Sequence, residues 1–503
     1  MIGKKTSKGR QTALSFFKGS ALSALRKAPV VMQVYETARE KGLEVFLVGG
    51  VLRNIALKSH LVPDYDFILE KDVSRISARV AERLGGTSFL LDKETLSYRV
   101  VADAGEVAST IDFSPIKAGG VMDDLGKRDF TVNAMAVNVA DLFEAERPPI
   151  IDPFGGIDDA GKKIIRAVYK GVFKDDPIRV LRAIRLSQQY SLDIDLNTRN
   201  LICRSSGLLK NVAAERVRDE LILIFLNAGT PESLRFIFDC GAARAVFPGL
   251  EDWKNINGYD LLSHALTTVH EAESLLNDVR QGKWKRPSLE RHFKSTVGSI
   301  NRAVLLKMAS FFHDIGKPYA ASREDGRLRF TGHDFEGSRK VKDALNGLKF
   351  SRKASGAISN LVKNHHRVFT LAALEAMTLR SKAHFFRAVE GEGGVWKGAG
   401  VDLVCLALSD ARATRGGEDP ELLKAANELL DFYYATYIKK KPRPILSGNE
   451  IMKAFNIPEG RLVGEVIGKI SEGIEKGIVK NRKEAIAYLK EWFSRKAQDG
   501  DLR

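Results

Sequence analysis

The sequence predicts an α+β head, a mixed sheet with helices, followed by a long all-helical body. Three observations carry that prediction. Between Val31 and Ala145, short apolar runs of strand length alternate with stretches of helical period. Beyond Pro153 the pattern is helical almost to the end. The 503 residues, 44% apolar and 28% charged, match ordinary globular domains, about three at roughly 150 residues each. A chain of that length buries several cores without disulfide or metal staples.

In the head, Val31–Lys41 reads as a helix ended by Gly42. Leu43–Val48 is a short apolar run, hence a buried strand, and it enters Gly49-Gly50. Asp64–Leu69 is expected to be a second strand, and Val73–Leu84 an amphipathic helix stopped by Gly85-Gly86. Ser97–Ala102 and Val107–Phe113 read as a hairpin pair. In the second of these, Val107, Ser109, Ile111 and Phe113 share one face, and Ala108, Thr110 and Asp112 the other. In the body, Asp176-Pro177 reads as an N-cap before a first-turn proline. Asn481 with Glu484 has capping-box spacing. Gln281–Lys294 reads as an exposed polar insertion and Lys439–Pro444 as a basic linker. The expected divisions are a flexible basic arm (1–30), the head (31–145), a helical neck (146–255), a second helical domain (256–420) and a C-terminal helical segment (421–503).

Seventy-nine Lys and Arg against 63 Asp and Glu leave a net charge of +16. Such an excess favours polyanionic partners, nucleic acid first and an anionic membrane surface second. Cys203, Cys240 and Cys405 are far apart and form no CxxC, so they read as thiols of a reducing compartment. No apolar run approaches the roughly 18 residues of a membrane span. The first 35 residues hold seven Lys/Arg, no Asp or Glu and no apolar signal core. A cytoplasmic protein is expected, with no membrane association and no obligate protein partner.

The chemistry concentrates in two places. Gly49-Gly50 lies between a strand and a helix, where backbone amides can approach a triphosphate, and Arg53 one turn later can pair with phosphate. Glycine pairs at strand ends usually mark only a turn. Asp64 and Asp66 raise the odds, because positions i and i+2 of a strand face the same way. Two such carboxylates repel unless a cation lies between them, and magnesium shared with substrate phosphates fits. Asp112 on a later strand can stand beside them. A solvated Asp-x-Asp turn is the plainer alternative.

Here the chain resembles a known family. Leu47-Val48-Gly49-Gly50-Val51-Leu52-Arg53 and Asp64-Tyr65-Asp66-Phe67 are similar to the head motif of the class II nucleotidyltransferases, which are the CCA-adding tRNA enzymes and bacterial poly(A) polymerases. The likeness continues in order through Arg128–Met135 (RDFTVNAM), Asp152–Gly156 (DPFGG), Asp175–Arg182 (DDPIRVLR) and Glu215–Glu220 (ERVRDE). One position departs: Asn54 follows Arg53 where the family has Asp, keeping hydrogen bonding and losing charge. The resemblance implies a nucleotidyltransferase-like head in which Asp64 and Asp66 hold Mg2+ and Asp112 helps activate an RNA 3′-hydroxyl. It implies nucleotide contacts from Gly49, Gly50, Arg53, Arg128, Asp129, Asn133, Asp176, Arg179 and Arg182, and RNA contacts from Arg185 and Arg216. Asp176 and Arg179, neighbours at i and i+3, would read the base. Carboxylate acceptance from an exocyclic amino group points to ATP, CTP or both. Taken alone, Asp-x-x-Arg on a helix is a surface ion pair.

The second place is the body. His313-Asp314 follows the apolar run Leu305–Phe312, with His264 upstream and His333, His365 and Asp410 downstream. Mixed imidazole and carboxylate ligands suit several divalent metals, so the metal's identity stays open. His270 and His366 read as packed or surface residues. The set resembles the HD phosphohydrolase superfamily, which some bacterial tRNA nucleotidyltransferases carry behind the head. Together the two resemblances imply a tRNA 3′-end nucleotidyltransferase with an HD-type helical domain, acting on tRNA with ATP and/or CTP. Three specificities compete within it: CCA, CC or A addition. The alternatives are a poly(A) polymerase, an HD phosphohydrolase with a non-catalytic RNA-binding head, and a non-catalytic RNA-binding protein.

Overall fold

The computed structural model describes residues 20–498 apart from 60–63, 104–107, 117–118, 248–252, 254–259, 325–326, 392–393, 440–444, 476–477 and 480. The chain forms two compact units, Met1–His270 with Asp343–Arg352, and Glu271–Lys342 with Lys353–Arg503.

The first unit opens with helices α1 (Ser20–Lys27) and α2 (Pro29–Lys41), the latter closed by Gly42 at φ 61°. Next come β1 (Val45–Val48), α3 (Gly50–Ala56), β2 (Asp64–Leu69) and α4 (Val73–Arg83). Strands β3 (Thr87–Asp92), β4 (Ser97–Asp103), β5 (Ala108–Pro115) and β6 (Ala136–Asn138) complete a six-stranded sheet in the order β3-β4-β5-β2-β1-β6. Only β2 and β5 run parallel, so the sheet is mixed as expected. Alternation sets the faces: Phe67, Ile111 and Phe113 are buried in one core with Val31, Val34, Ile76 and Val80 of the covering helices. The rings of Phe67 and Phe113 stack at 5.4 Å between centroids. Each fully buried side chain of this kind contributes about 1.5–3 kcal/mol.

The unit continues into helices, of which α5 (Arg179–Tyr190) and α6 (Ala214–Leu226) matter most. Both are amphipathic: Leu181 and Ile184 of α5, and Leu221 and Ile224 of α6, are buried. Helix α7 (Leu261–Arg280) runs across the boundary between the units.

In the second unit, α8 (Arg302–Phe312) is buried along nearly its whole length, and so is much of α11 (Ala399–Arg415). An all-round apolar helix is a core helix. Between them in sequence lie α9 (His333–Gly347) and α10 (Arg352–Asn364). Near the end, Leu446, Ile451, Val466, Ile470 and Leu489 form a small core of their own.

Four expectations change. The arm expected to be flexible to residue 30 carries α1, with Leu25 buried and Arg26 donating to the carbonyl of Ala145 at 2.8 Å. Residues 1–19, and the linker from 440 to 444, lie outside the described residues. Gln281–Lys294 is only in part the exposed insertion expected, because Pro287–Lys294 is a helix that buries Leu289 and Phe293. Asp176 does not cap a helix: α5 starts at Arg179 without a side-chain cap, and the Asp176 carboxylate turns to Arg216. Strands β3 and β6 were not anticipated. β3 is an edge strand with little burial, and β6 has only three residues, so neither carries a periodic signal.

Candidate nucleotide cleft and metal centre

Sheet register assembles the acids. Val48 pairs with Asp66, Asp66 with Asp112, and Asp112 with Arg99, so one row crosses four strands. Asp64 lies two residues before Asp66, on the same face. Burial, then the Asp112 charge, raises the Asp64 carboxyl against the pull of Arg99 and Arg53. Burial, then Asp64, pushes Asp66 up to about 6, opposed by Arg128 and Arg53. Crowded, desolvated carboxylates of this kind fit a divalent cation. Asp112 accepts two hydrogen bonds from Arg99, each 2.8 Å, which the sequence reading missed.

Gly49 begins α3 at φ 76°, and a Cβ there would stand 2.7 Å from an Asp66 carboxylate oxygen. Only glycine lets the turn pass that close. A cleft of about 480 Å³ follows, lined by Gly49, Gly50, Asp64, Asp66, Asp129 and Asn133 and by Arg53, Arg128, Arg179, Arg182 and Arg185. Five guanidinium groups facing acids make a site for a polyanion carried with a cation. A larger cleft of about 810 Å³, lined by Ser187, Asp193, Arg199 and Glu232, lacks that arrangement.

Most of the predicted nucleotide residues come together, though several are already paired. Asp129 is buried; its carboxylate accepts from the Phe130 amide at 2.8 Å and from Asn133 at 2.9 Å. Burial opposes its ionisation, but Arg182 and these donors hold it below the usual carboxylate range. Arg128 pairs with Asp124 at 3.2 Å. Glu220, buried on α6, accepts from Arg182 at 3.3 Å and Arg185 at 2.7 Å. Asp176 and Arg179 are 3.9 Å apart, but both Asp176 oxygens take Arg216, at 3.0 and 2.9 Å. The Arg179 guanidinium instead donates to the Lys127 carbonyl at 3.2 Å. Asn54 is buried and accepts from Arg53 at 3.1 Å.

In the second unit, α8 ends at His313, and Asp314 follows in a turn that reaches the start of α9. Gly316 permits this, since a Cβ would meet the His333 carbonyl at 1.9 Å. His313 Nε2 lies 3.3 Å from Asp314 and 3.6 Å from Asp410. The other Asp314 oxygen is 3.3 Å from His333 Nε2 and 3.8 Å from His365 Nε2. The Nδ1 atoms of His313, His333 and His365 each lie 2.7–2.8 Å from a backbone carbonyl, of Ser310, Phe330 and Val362. With Nδ1 turned to a carbonyl, Nε2 is the ring atom that each histidine presents to the cluster. The Nε2 atoms of His333 and His365 face each other at 3.3 Å. Imidazoles oriented by a carbonyl at Nδ1, with converging Nε2 atoms, are the arrangement of metal-binding histidines.

Burial opposes protonation of His313, but the carboxylates of Asp314 and Asp410 outweigh it and push it up to about 10. Burial and the neighbouring imidazoles push His365 down to about 3. His366 corrects an expectation: its Nε2 lies 3.2 Å from that of His333, so it belongs with the cluster. Its sequence signal was adjacency to His365, which a helix usually sends to another face; here α10 has ended. His264 lies on α7, in the first unit.

Comparison with known proteins finds three families along the chain. The poly A polymerase head domain family matches residues 45–166, the "Probable RNA and SrmB- binding site of polymerase A" family 191–254, and the HD domain family 261–396. An A-adding tRNA nucleotidyltransferase of Deinococcus radiodurans is 29% identical over 461 residues, covering 89% of this chain and 95% of its own. A CC-adding tRNA nucleotidyltransferase of Geobacter sulfurreducens is 29% identical over 464 residues, covering 92% and 95%. Among solved structures, a CCA-adding enzyme in complex with ATP shares the fold, with TM-score 0.59 and 18% identity over 96% of this chain and 98% of that one. The chain therefore carries the head and RNA-binding domains of the poly A polymerases with an HD domain behind them, and its relatives are tRNA nucleotidyltransferases.

Proposed function

We propose that this protein is a template-independent tRNA 3′-end nucleotidyltransferase. It transfers CMP and/or AMP from CTP or ATP to the tRNA 3′-hydroxyl and releases pyrophosphate. The observation that carries the proposal is the row Asp66–Asp112 with Asp64 beside it, opening on an arginine-lined cleft. Magnesium held by Asp64 and Asp66 would neutralise charge on the attacking and leaving oxygens. Asp112, hydrogen-bonded by Arg99, would take the proton of the attacking hydroxyl. The amides at Gly49 and Gly50, with Arg53 and Arg128, would hold the triphosphate. Asp129 would orient Asn133 and Arg182 at the nucleotide. Asp176 would exchange Arg216 for the amino group of adenine or cytosine, with Arg179 beside it. Arg185 and a released Arg216 would meet RNA phosphate.

In the HD domain, His313, Asp314, His333, His365 and Asp410 would hold a divalent metal, with His366 beside them. A metal-activated water there would serve hydrolysis of a phosphoester. The converging Nε2 atoms of His333 and His365 support that second activity. Poly(A) synthesis is the weaker alternative, because the relatives compared above add A or CC to tRNA. The work is assigned to the cytoplasm; among the described residues no helix is long and apolar enough to cross a membrane.

Transcripts of tRNA ending before CCA, after C and after CC, offered labelled ATP or CTP with Mg2+, test the proposal. One A on the CC end alone marks an A-adding enzyme, and two C without A a CC-adding one. Completion marks a CCA-adding enzyme, long A tails mark poly(A) synthesis, and no incorporation overturns the transferase.

A further inference from the structure

Arg53 is held by uncharged groups only. Its Nη1 donates to Asn133 at 2.8 Å, and its Nη2 to Asn54 at 3.1 Å and to the Tyr190 hydroxyl at 2.8 Å. The guanidinium also lies over the Tyr190 ring, 4.6 Å from the centroid. Its Nε is buried without a hydrogen-bond partner. No carboxylate among the described residues pairs with it. Yet carboxylates are near. A Cβ on Gly50 would stand 3.3 Å from Arg53 Nη2, and one on the adjacent Gly49 2.7 Å from Asp66. The Arg53 charge is felt at both Asp64 and Asp66.

A guanidinium beside ionised carboxylates in a partly buried cleft is drawn into a bidentate pair with them. That pair would occupy oxygens needed for a cation and cancel charge needed for a triphosphate. Something must hold Arg53 back. The two asparagines offer single carbonyl oxygens. Tyr190, the last residue of α5, adds a hydroxyl acceptor and a ring face that attracts a cation without neutralising it. Its hydroxyl is also approached by the Gln189 amide at 3.3 Å.

We propose that Tyr190 is a positioning residue of the nucleotide cleft, holding the Arg53 guanidinium off the Asp64–Asp66 carboxylates with its charge directed at the incoming triphosphate. The inference rests on the transferase reading of this cleft. It extends the site to the end of a helix that sequence motifs reach only at Asp176–Arg182.

The test uses the full chain carrying His313→Ala and Asp314→Ala, so that metal counted by Mn2+ electron paramagnetic resonance belongs to the head. Tyr190→Leu should weaken Mn2+ binding about 5-fold or more. It should weaken binding of α,β-methylene ATP or CTP, whichever base is incorporated, about 10-fold, with the melting temperature nearly unchanged. Tyr190→Phe keeps the ring and should stay within about 3-fold of the parent. Adding Arg53→Gln to Tyr190→Leu removes the intruding charge and should restore Mn2+ binding. A merely structural role for Tyr190 would not be rescued by a change at Arg53. Parent-like Mn2+ binding by Tyr190→Leu, or no rescue in the double variant, overturns the inference and leaves the transferase standing. A parent that binds neither analogue overturns both.

Discussion

Asp66 shows how one residue serves two opposed demands. The carboxylate is raised by burial and by Asp64, up to about 6, so the metal-free fold holds a proton the unfolded chain releases near pH 4. A raised carboxyl favours the folded state at low pH, and the advantage is lost as pH rises through the folded value. Asp66→Asn should therefore stabilise the metal-free protein by about 1–3 kcal/mol above pH 6, and progressively less toward pH 4. Thermal melts at pH 4.5 and pH 8 in chelator check this. A stabilisation greater at pH 4.5 than at pH 8 would contradict it. Nucleotide addition should be lost in the same variant. Asp129 is the opposite case, since its charged form is held by Arg182, Asn133 and an amide, and its stabilisation is lost as pH falls below about 4.

Two elements carry most of the site, the turn into α3 and the facing pair α5 and α6. At the turn, Gly49→Ala would force a Cβ into the Asp66 carboxylate at a positive φ. Addition should fall at least 100-fold while overall stability drops by only about 1–2 kcal/mol; denaturant titration alongside the transferase assay separates the two. Between the helices, Glu220 is the shared anchor of Arg182 and Arg185. Glu220→Ala leaves two guanidinium groups without their buried partner and should cost about 2–3 kcal/mol, discounted because Arg182 is partly exposed. Glu220→Gln should lose less, and equilibrium unfolding in urea distinguishes them. Glu220 stands in the quoted motif, but its task is visible only once α6 lies against α5. Similarly Arg99 is one more strand arginine until the register sets it opposite Asp112.

At the scale of the whole molecule, the two proposed activities fall to two compact units. Asp66→Ala should abolish nucleotide addition and spare phosphoesterase activity, while His313→Ala with Asp314→Ala should do the reverse. Assays of both variants on a CC-ended tRNA and on a generic phosphodiester would show this, and loss of both activities in either variant would argue against separate sites. The acidic pair and the His-Asp dipeptide were legible because their chemistry requires fixed local spacing. His366 was not, because the end of α10 decides where its ring points.

The residues alone determined the mixed-sheet head, the helical body and both acid-bearing motifs. Those follow from period, from glycine and from the i, i+2 geometry of a strand. Tertiary structure decided the rest. It docked α1 on the head, buried Leu289 and Phe293, turned Asp176 from a cap into an Arg216 partner, and closed Tyr190 over Arg53. Each of these joins groups at least 40 residues apart or depends on which helix face is covered. Local pattern constrains a residue's backbone and facing; only the packed fold supplies the distant partner that fixes its charge and its role.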